Sequence, residues 1–433
     1  MTFTLGMAEM EYHLRGFMAS LSAPIIALFL ALLLIPFHVL AQEDEEKMYS
    51  IAKATQIGAI SDSDLGLNEA QLRPQGDQIL IVGAEGYARL IDSEEPESRA
   101  KDISLTSGKS EDFTALSWHP QGESALLVGE NGQMMRLSLE NYALETVEGK
   151  GVLEGETQTT IAWNRNGDTA YLGGEDGSIF RYSSADGFTF LDKSASPITA
   201  IDCHPSPNTR LCVIATAGDG AAVIDNDHQV SWISNTKGDT WVDVVCPIVS
   251  RDVCILIGSG KRLAVLYLDV EKPSASATDN PEVLSTLEGE LTGGSLMGDG
   301  SISLHIAPYS VASYGLEEEM AWTVVMKDDV SGEGSLAGSA MVFTWGREDT
   351  DGFILSSNGL IASISPIKEV EEKDLLGMVV IGMVAISVPG VVFGMIFMNS
   401  KTLQRWWMNM SRKHRQKKFD RIQAKRDAKK SAD

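Results

Sequence analysis

A short glycine-bearing turn recurs seven times along the middle of the chain, and its spacing limits what the chain can fold into. The turns are Ala84-Glu85-Gly86, Glu130-Asn131-Gly132, Glu175-Asp176-Gly177, Gly218-Asp219-Gly220, Gly258-Ser259-Gly260, Gly298-Asp299-Gly300 and Ser357-Asn358-Gly359. Successive final glycines lie 46, 45, 43, 40, 40 and 59 residues apart. Tight hairpins need a positive φ, which Gly with Asn or Asp supplies at little cost. Each turn lies between short apolar runs, such as residues 125–128 and 133–137, which read as the second and third strands, b and c, of a repeated sheet.

A second register agrees with the first. Fourteen residues before the turn glycine lie Leu72, Trp118, Trp163, Cys246 and Trp345, and Cys203 precedes Gly220 by 17. Each ends a candidate first strand, a. The sixth unit fits worst, with Thr286 at the expected position, and the 59-residue interval implies an insertion of about 15 residues before the last unit. A period of 40–46 residues with four short strands is the signature of a β-propeller, so the fold class expected is all-β, with seven blades over residues 49–366. Trp118-His119-Pro120-Gln121-Gly122 through Arg136-Leu137, and Leu72-Arg73-Pro74-Gln75-Gly76 through Leu90-Ile91-Asp92, carry a family likeness. The repeat resembles a degenerate form of the WD-repeat and YVTN-like propellers, without the Gly-His and Trp-Asp dipeptides of true WD repeats. The resemblance implies a fold and leaves the function open.

The seventh blade has only three strands of its own, at residues 339–365. Residues 49–57 form the remaining strand-like run, and they are expected to supply the missing outer strand and close the ring. The four cysteines fall in two neighbouring blades, each pair flanking an a–b turn. Matching positions favour Cys203 with Cys212 and Cys246 with Cys254. A zinc site would need shorter spacings.

Two apolar segments flank the propeller. Residues 1–41 read as a secretory signal peptide: Arg15, an apolar core at 25–35, Pro36, and small Val39 and Ala41 before a cleavage point. An uncleaved anchor is the alternative. An acidic linker, 42–48, follows. After a juxtamembrane linker, 367–374, residues 375–398 run without a charge, long enough for one transmembrane α-helix. Residues 399–433 form a basic, helical tail. Residues 401–433 carry 12 Lys or Arg against three Asp, and Trp406-Trp407 stand at an interfacial position. Basic residues stay cytoplasmic, so the expected protein is single-pass in the cell membrane with its propeller outside. Gly390 and Gly394 form a G-x-x-x-G pattern through which two spans could dimerise.

Residues 42–374 carry 22 basic and 55 acidic side chains. Such a surface repels nucleic acid, whose phosphates require cationic partners. No G-x-S-x-G elbow or phosphate loop is present, and the aspartates near 62 and 349 lack the remaining ligands of a calcium loop. No cofactor or metal is expected. Binding is the expected role, toward an extracellular protein or another subunit of a membrane complex. The alternative is a lactonase- or quinoprotein-like enzyme with a metal or cofactor at the central channel. The b–c turns would share one face and present Glu85, Glu130, Glu175, Asp176, Asp219 and Asp299 as the partner-binding surface. The a–b turns, with Arg73, His119, Arg165, Arg210, Arg251 and Arg347, would look toward the lipid.

Overall fold

The second strand of blades one to five is an apolar run with no polar alternation, for example Gln78–Gly83, Ser124–Gly129 and Val253–Gly258, because both of its faces are buried. In Gln78–Gly83, Leu80 and Val82 pack toward the following blade, while Ile79 and Ile81 pack toward the preceding one. The same division repeats around the ring. Seven apolar clusters result, one between each pair of adjacent blades, and the last joins Trp345, Leu355 and Ile361 to Leu67, Ile79 and Ile81. The core is therefore divided among seven interfaces, in the manner of repeat proteins.

The computed structural model describes residues 50–367, apart from 62, 207, 249–251, 333–335, 337 and 338, together with residues 396–430. The expected signal sequence, most of the expected span with Gly390 and Gly394, and Arg251 lie outside the described residues. Among the described residues no helix is long and apolar enough to cross a membrane. The described part of the tail is helical, Lys401–Lys430, in keeping with its Lys, Arg, Gln and Met content and its lack of Gly and Pro.

Strands a are Leu67–Leu72, Phe113–Trp118, Gln158–Trp163, Ile198–Cys203, Trp241–Val245, Glu290–Leu296 and Met341–Glu348. Each lies against strand a of the next blade, and together they form the inner ring. Within a blade, consecutive strands are antiparallel neighbours. The seventh blade departs from this order as expected. Its own strands Asp351–Ser356 and Leu360–Pro366 are followed outward by Ala52–Ala59, which pairs antiparallel with Leu360–Pro366, Ala54 opposite Ile364. This closing strand begins slightly later than its sequence suggests, and Ala52 and Ala54 are fully buried. The 15-residue connection before blade seven, 326–340, adds a further short strand, Val330–Ser331, parallel to Ala52–Ala59.

Blade six corrects the repeat assignment. Gly298-Asp299-Gly300 joins strand a (Glu290–Leu296) to strand b (Ile302–Ala307), whereas the b–c turn is Pro308-Tyr309, ahead of Ser310–Gly315. With that turn in its place, the irregular last intervals become 49 and 50 residues, counted through Tyr309. Blade six does have a strand a.

Both cysteine pairs are disulfide-bonded, Cys203 to Cys212 and Cys246 to Cys254. Cys203 and Cys212 are directly opposed in register across strands a and b. By loop-closure entropy, each bridge contributes about 2–3 kcal/mol. The double variant Cys246→Ala/Cys254→Ala should unfold at lower denaturant by that amount; an unchanged midpoint would contradict the estimate. Removing residues 48–58 should abolish cooperative thermal unfolding of the propeller. A truncated protein that melts at the full-length temperature would rule out closure by Ala52–Ala59.

Candidate functional site

The b–c turns of blades one to five lie on one face of the propeller. In blade one the turn places Glu85 at φ 53, and in blade two Asn131 takes the matching position at φ 53. A left-handed conformation costs a residue with a β-carbon about 1 kcal/mol, less for Asn. Glu at this exposed position is therefore a poor choice for folding alone. Glu85, Glu130 and Glu175 are exposed, and no hydrogen bond or ion pair engages their carboxylates among the described residues.

Asp176 and Asp219 share that face but are engaged internally. Asp176 Oδ2 accepts from Lys193 Nζ at 2.6 Å and from Ser178 Oγ at 2.7 Å. Partial burial pushes its carboxyl up, but the bonds from Lys193 and Ser178 outweigh this and hold it below the usual range. Asp219 accepts from the Ala195 N–H and from Ser194 Oγ, which lower its pKa and tie blade four to blade three. On blade five, Lys261 Nζ donates to Leu287 O at 2.9 Å and Arg262 pairs with Asp239. Asp299 is not part of this surface. It sits on the opposite, a–b face, where its Oδ1 accepts from Ser301 N and Oγ at 2.9 and 2.7 Å. The acidic surface is thus narrower than the sequence suggests: three unengaged glutamates on blades one to three.

The a–b face is knitted together. Arg73 Nε donates to Gly122 O at 2.8 Å, Gln75 Nε2 to Gln121 O at 2.6 Å, and His119 Nε2 to Gly167 O at 2.9 Å, each reaching the next blade. Arg73 and His119 are thus held in structural contacts.

The inner ring holds residues that sequence reasoning passed over. Strand a pairs with strand b on one edge only, so its other backbone edge needs partners. Side chains of the preceding blade supply them. Asn68 Nδ2 and Thr199 Oγ1 donate to Phe113 O and Trp241 O at 2.8 and 2.9 Å. Glu69, Thr160, Asp202 and Asp243 accept from Leu116, Ile201, Cys246 and Gly294 N–H groups at 2.9, 3.0, 2.7 and 2.9 Å. Three of these acceptors are carboxylates. Burial pushes Glu69 up to about 8, Asp202 to about 7 and Asp243 to about 6, against the opposing pull of those N–H groups. The charge of Asp243 raises both of the others, so acids from blades one, four and five converge. The signal in the sequence was an acid within a short apolar strand, but convergence depends on the ring. His305 is fully buried between Ser295 Oγ and Thr344 Oγ1, and burial lowers it to about 4. Among the described residues no group of three His, Cys, Asp or Glu is placed to hold a metal ion.

The raised carboxyls make stability depend on pH in a defined direction. Their contribution is complete below the ordinary carboxylate range and is lost as pH rises through the folded values. The native propeller should lose stability between pH 5 and 8.5. In Glu69→Gln the amide oxygen keeps the Leu116 bond, so the variant should approach the native curve at pH 4 and lie above it at pH 8.5. A constant offset across that range would contradict the assignment.

No family model matches the chain, and no curated protein matches it. Its architecture is nevertheless similar to solved propellers. The WD40 β-propeller domain of Doa1 is 12% identical with a TM-score of 0.54, covering 74% of this chain and 98% of that one. The RRP9 WD40 repeats are 12% identical at TM-score 0.55, covering 73% and 99%. The β-propeller domain of Myceliophteria thermophila Cps50 (Swd1) is 11% identical at TM-score 0.56, covering 72% and 100%. At such identities the likeness concerns the fold: a seven-bladed β-propeller with the architecture of WD40 domains.

Proposed function

We propose that this chain is a membrane-anchored scaffold whose propeller, held outside the cytoplasm, binds a protein partner through its b–c face. The observation that carries the binding reading is the set of three exposed, unengaged carboxylates on consecutive blades, Glu85, Glu130 and Glu175, beside aspartates that are committed internally. One of the three occupies a backbone position unfavourable for Glu. The partner surface that complements them is basic.

The location rests on separate grounds. Disulfides persist outside the cytoplasm. The uncharged run 375–398 followed by a strongly basic tail favours a span with a cytoplasmic C-terminus. Strand c of blade seven ends at Pro366, at the a–b face.

Combined charge reversal, Glu85→Lys, Glu130→Lys and Glu175→Lys, should reduce co-purification of the partner from native membranes by about tenfold or more, and the loss should be smaller at high salt. Undiminished recovery from a variant with native melting behaviour would refute the assignment of this face.

A further inference from the structure

The outer edge of a propeller blade exposes unpaired N–H and C=O groups, and proteins keep such edges short or covered. This chain does so in six blades. Outer strands Ile103–Leu105, Ala143–Thr146 and Val230–Ile233 have three or four residues, and the outer position of blade five is split between Ala277–Thr278 and Glu282–Val283. Met320–Val325 of blade six meets the incoming chain, with Ile51 N donating to Val324 O at 3.1 Å. Ala52–Ala59 of blade seven carries Val330–Ser331 as a fifth strand. Blade three is the exception. Its outer strand, Gly187–Lys193, has seven residues, and no further strand pairs with it among the described residues.

A cleft of about 510 Å³ runs beside this edge, between the outer strand of blade three and the turn that leads into the outer strand of blade four; its lining includes Arg181, Thr189, Leu191, Asp192, Asp227 and His228. A bulge opposite Ile179 and Phe180 leaves Leu191 as the extra residue, packed on the core shared by blades three and four. Trp232 Nε1 donates to Asp192 Oδ2 at 2.9 Å across the cleft, and Phe190 is 55% exposed. His228 Nδ1 bonds Tyr171 OH at 2.7 Å, and burial, with Arg181 nearby, keeps its pKa below the ordinary value. Arg181 faces Asp186 at 3.4 Å, and its Nε is buried without a hydrogen-bond partner. Asp227 is exposed at the rim. Carboxylates thus outnumber cations around the cleft.

We propose that this cleft takes an extended, Lys- or Arg-bearing segment of a protein partner, which adds to blade three as a fifth strand. Its main chain would pair with the bare edge, and its basic side chains would lie over Asp227 and Asp186. The chain's own Val330–Ser331 shows that a blade of this propeller accepts a fifth strand. The inference rests on the scaffold reading and adds a second contact site and the partner's chemistry.

The test uses full-length protein in detergent and a capped heptapeptide of alternating Lys and Val carrying a fluorophore and one photoreactive residue. Saturable binding is expected, with the label on residues 189–192 or 227–230. N-methylation of alternate backbone nitrogens, on whichever edge faces the blade, and Asp227→Lys should each weaken binding about tenfold. Asp299→Lys, elsewhere on the surface, should not. No saturable binding, equal binding of both N-methylated registers and the parent peptide, or labelling elsewhere would overturn the proposal. If it fails while the Glu85, Glu130 and Glu175 reversal still abolishes partner recovery, the cleft proposal falls alone. If that reversal is also silent, the scaffold reading falls with it.

Discussion

The pairing of Ala52–Ala59 with Leu360–Pro366 is the contact on which the other interfaces depend. It joins residues such as Thr55 and Ser363, 308 positions apart. Without it, blade seven would end at a bare strand, and Ala54 and Ile364 would lose part of the cluster they share with Tyr309 and Val311 of blade six. The entropy of closing so long a loop grows only slowly with length. What the closing strand returns is the completion of a circle of seven apolar interfaces, each bearing on both of its neighbours. An open array of blades would fray from its ends. A closed one has no ends.

Inside that circle the chain meets a second constraint, the free inner edge of strand a. In blades two to seven it is met by side chains reaching from the preceding blade, donating to carbonyls or accepting from N–H groups. Using Glu69, Asp202 and Asp243 as acceptors has a consequence that Thr160 or Ser295 does not have: burial turns each into a proton-binding group near neutral pH. The distribution of charge elsewhere follows a similar division. Arg73 and His119 of the a–b turns are drawn into contacts between blades, while glutamates on blades one to three remain uncommitted on the other face. Rigidity on one face and unused charge on the other suit a surface that recognises a partner without rearranging.

Much of the fold could be read from residue order because turn chemistry is local. A positive φ favours Gly or Asn, so six of the seven b–c turns announced themselves. The sixth blade was misread for the same local reason. Asp299-Gly300 makes a good turn wherever it stands, and the true b–c turn at Pro308-Tyr309 carries no glycine. The closing strand was legible by counting, since blade seven lacked an outer strand and one strand-like run remained unassigned. The disulfides were legible from matched repeat positions. The inner acids were not, because a lone Glu or Asp in a short strand looks solvated until the ring brings three blades together. Nor was the commitment of Asp176 to Lys193, or of Asp219 to Ser194, visible from spacing.

The central claim is that the uncommitted carboxylates of the b–c face meet a basic partner. Zero-length carbodiimide coupling in native membranes, followed by mapping of the cross-linked peptides, tests it most directly, because coupling requires a carboxylate in contact with an amine. The account predicts intermolecular links from Glu85, Glu130 and Glu175 to lysines of one partner, with few from Asp299 or other acids of the a–b face. Links concentrated on the a–b face, with those three glutamates unmodified by any partner, would contradict it.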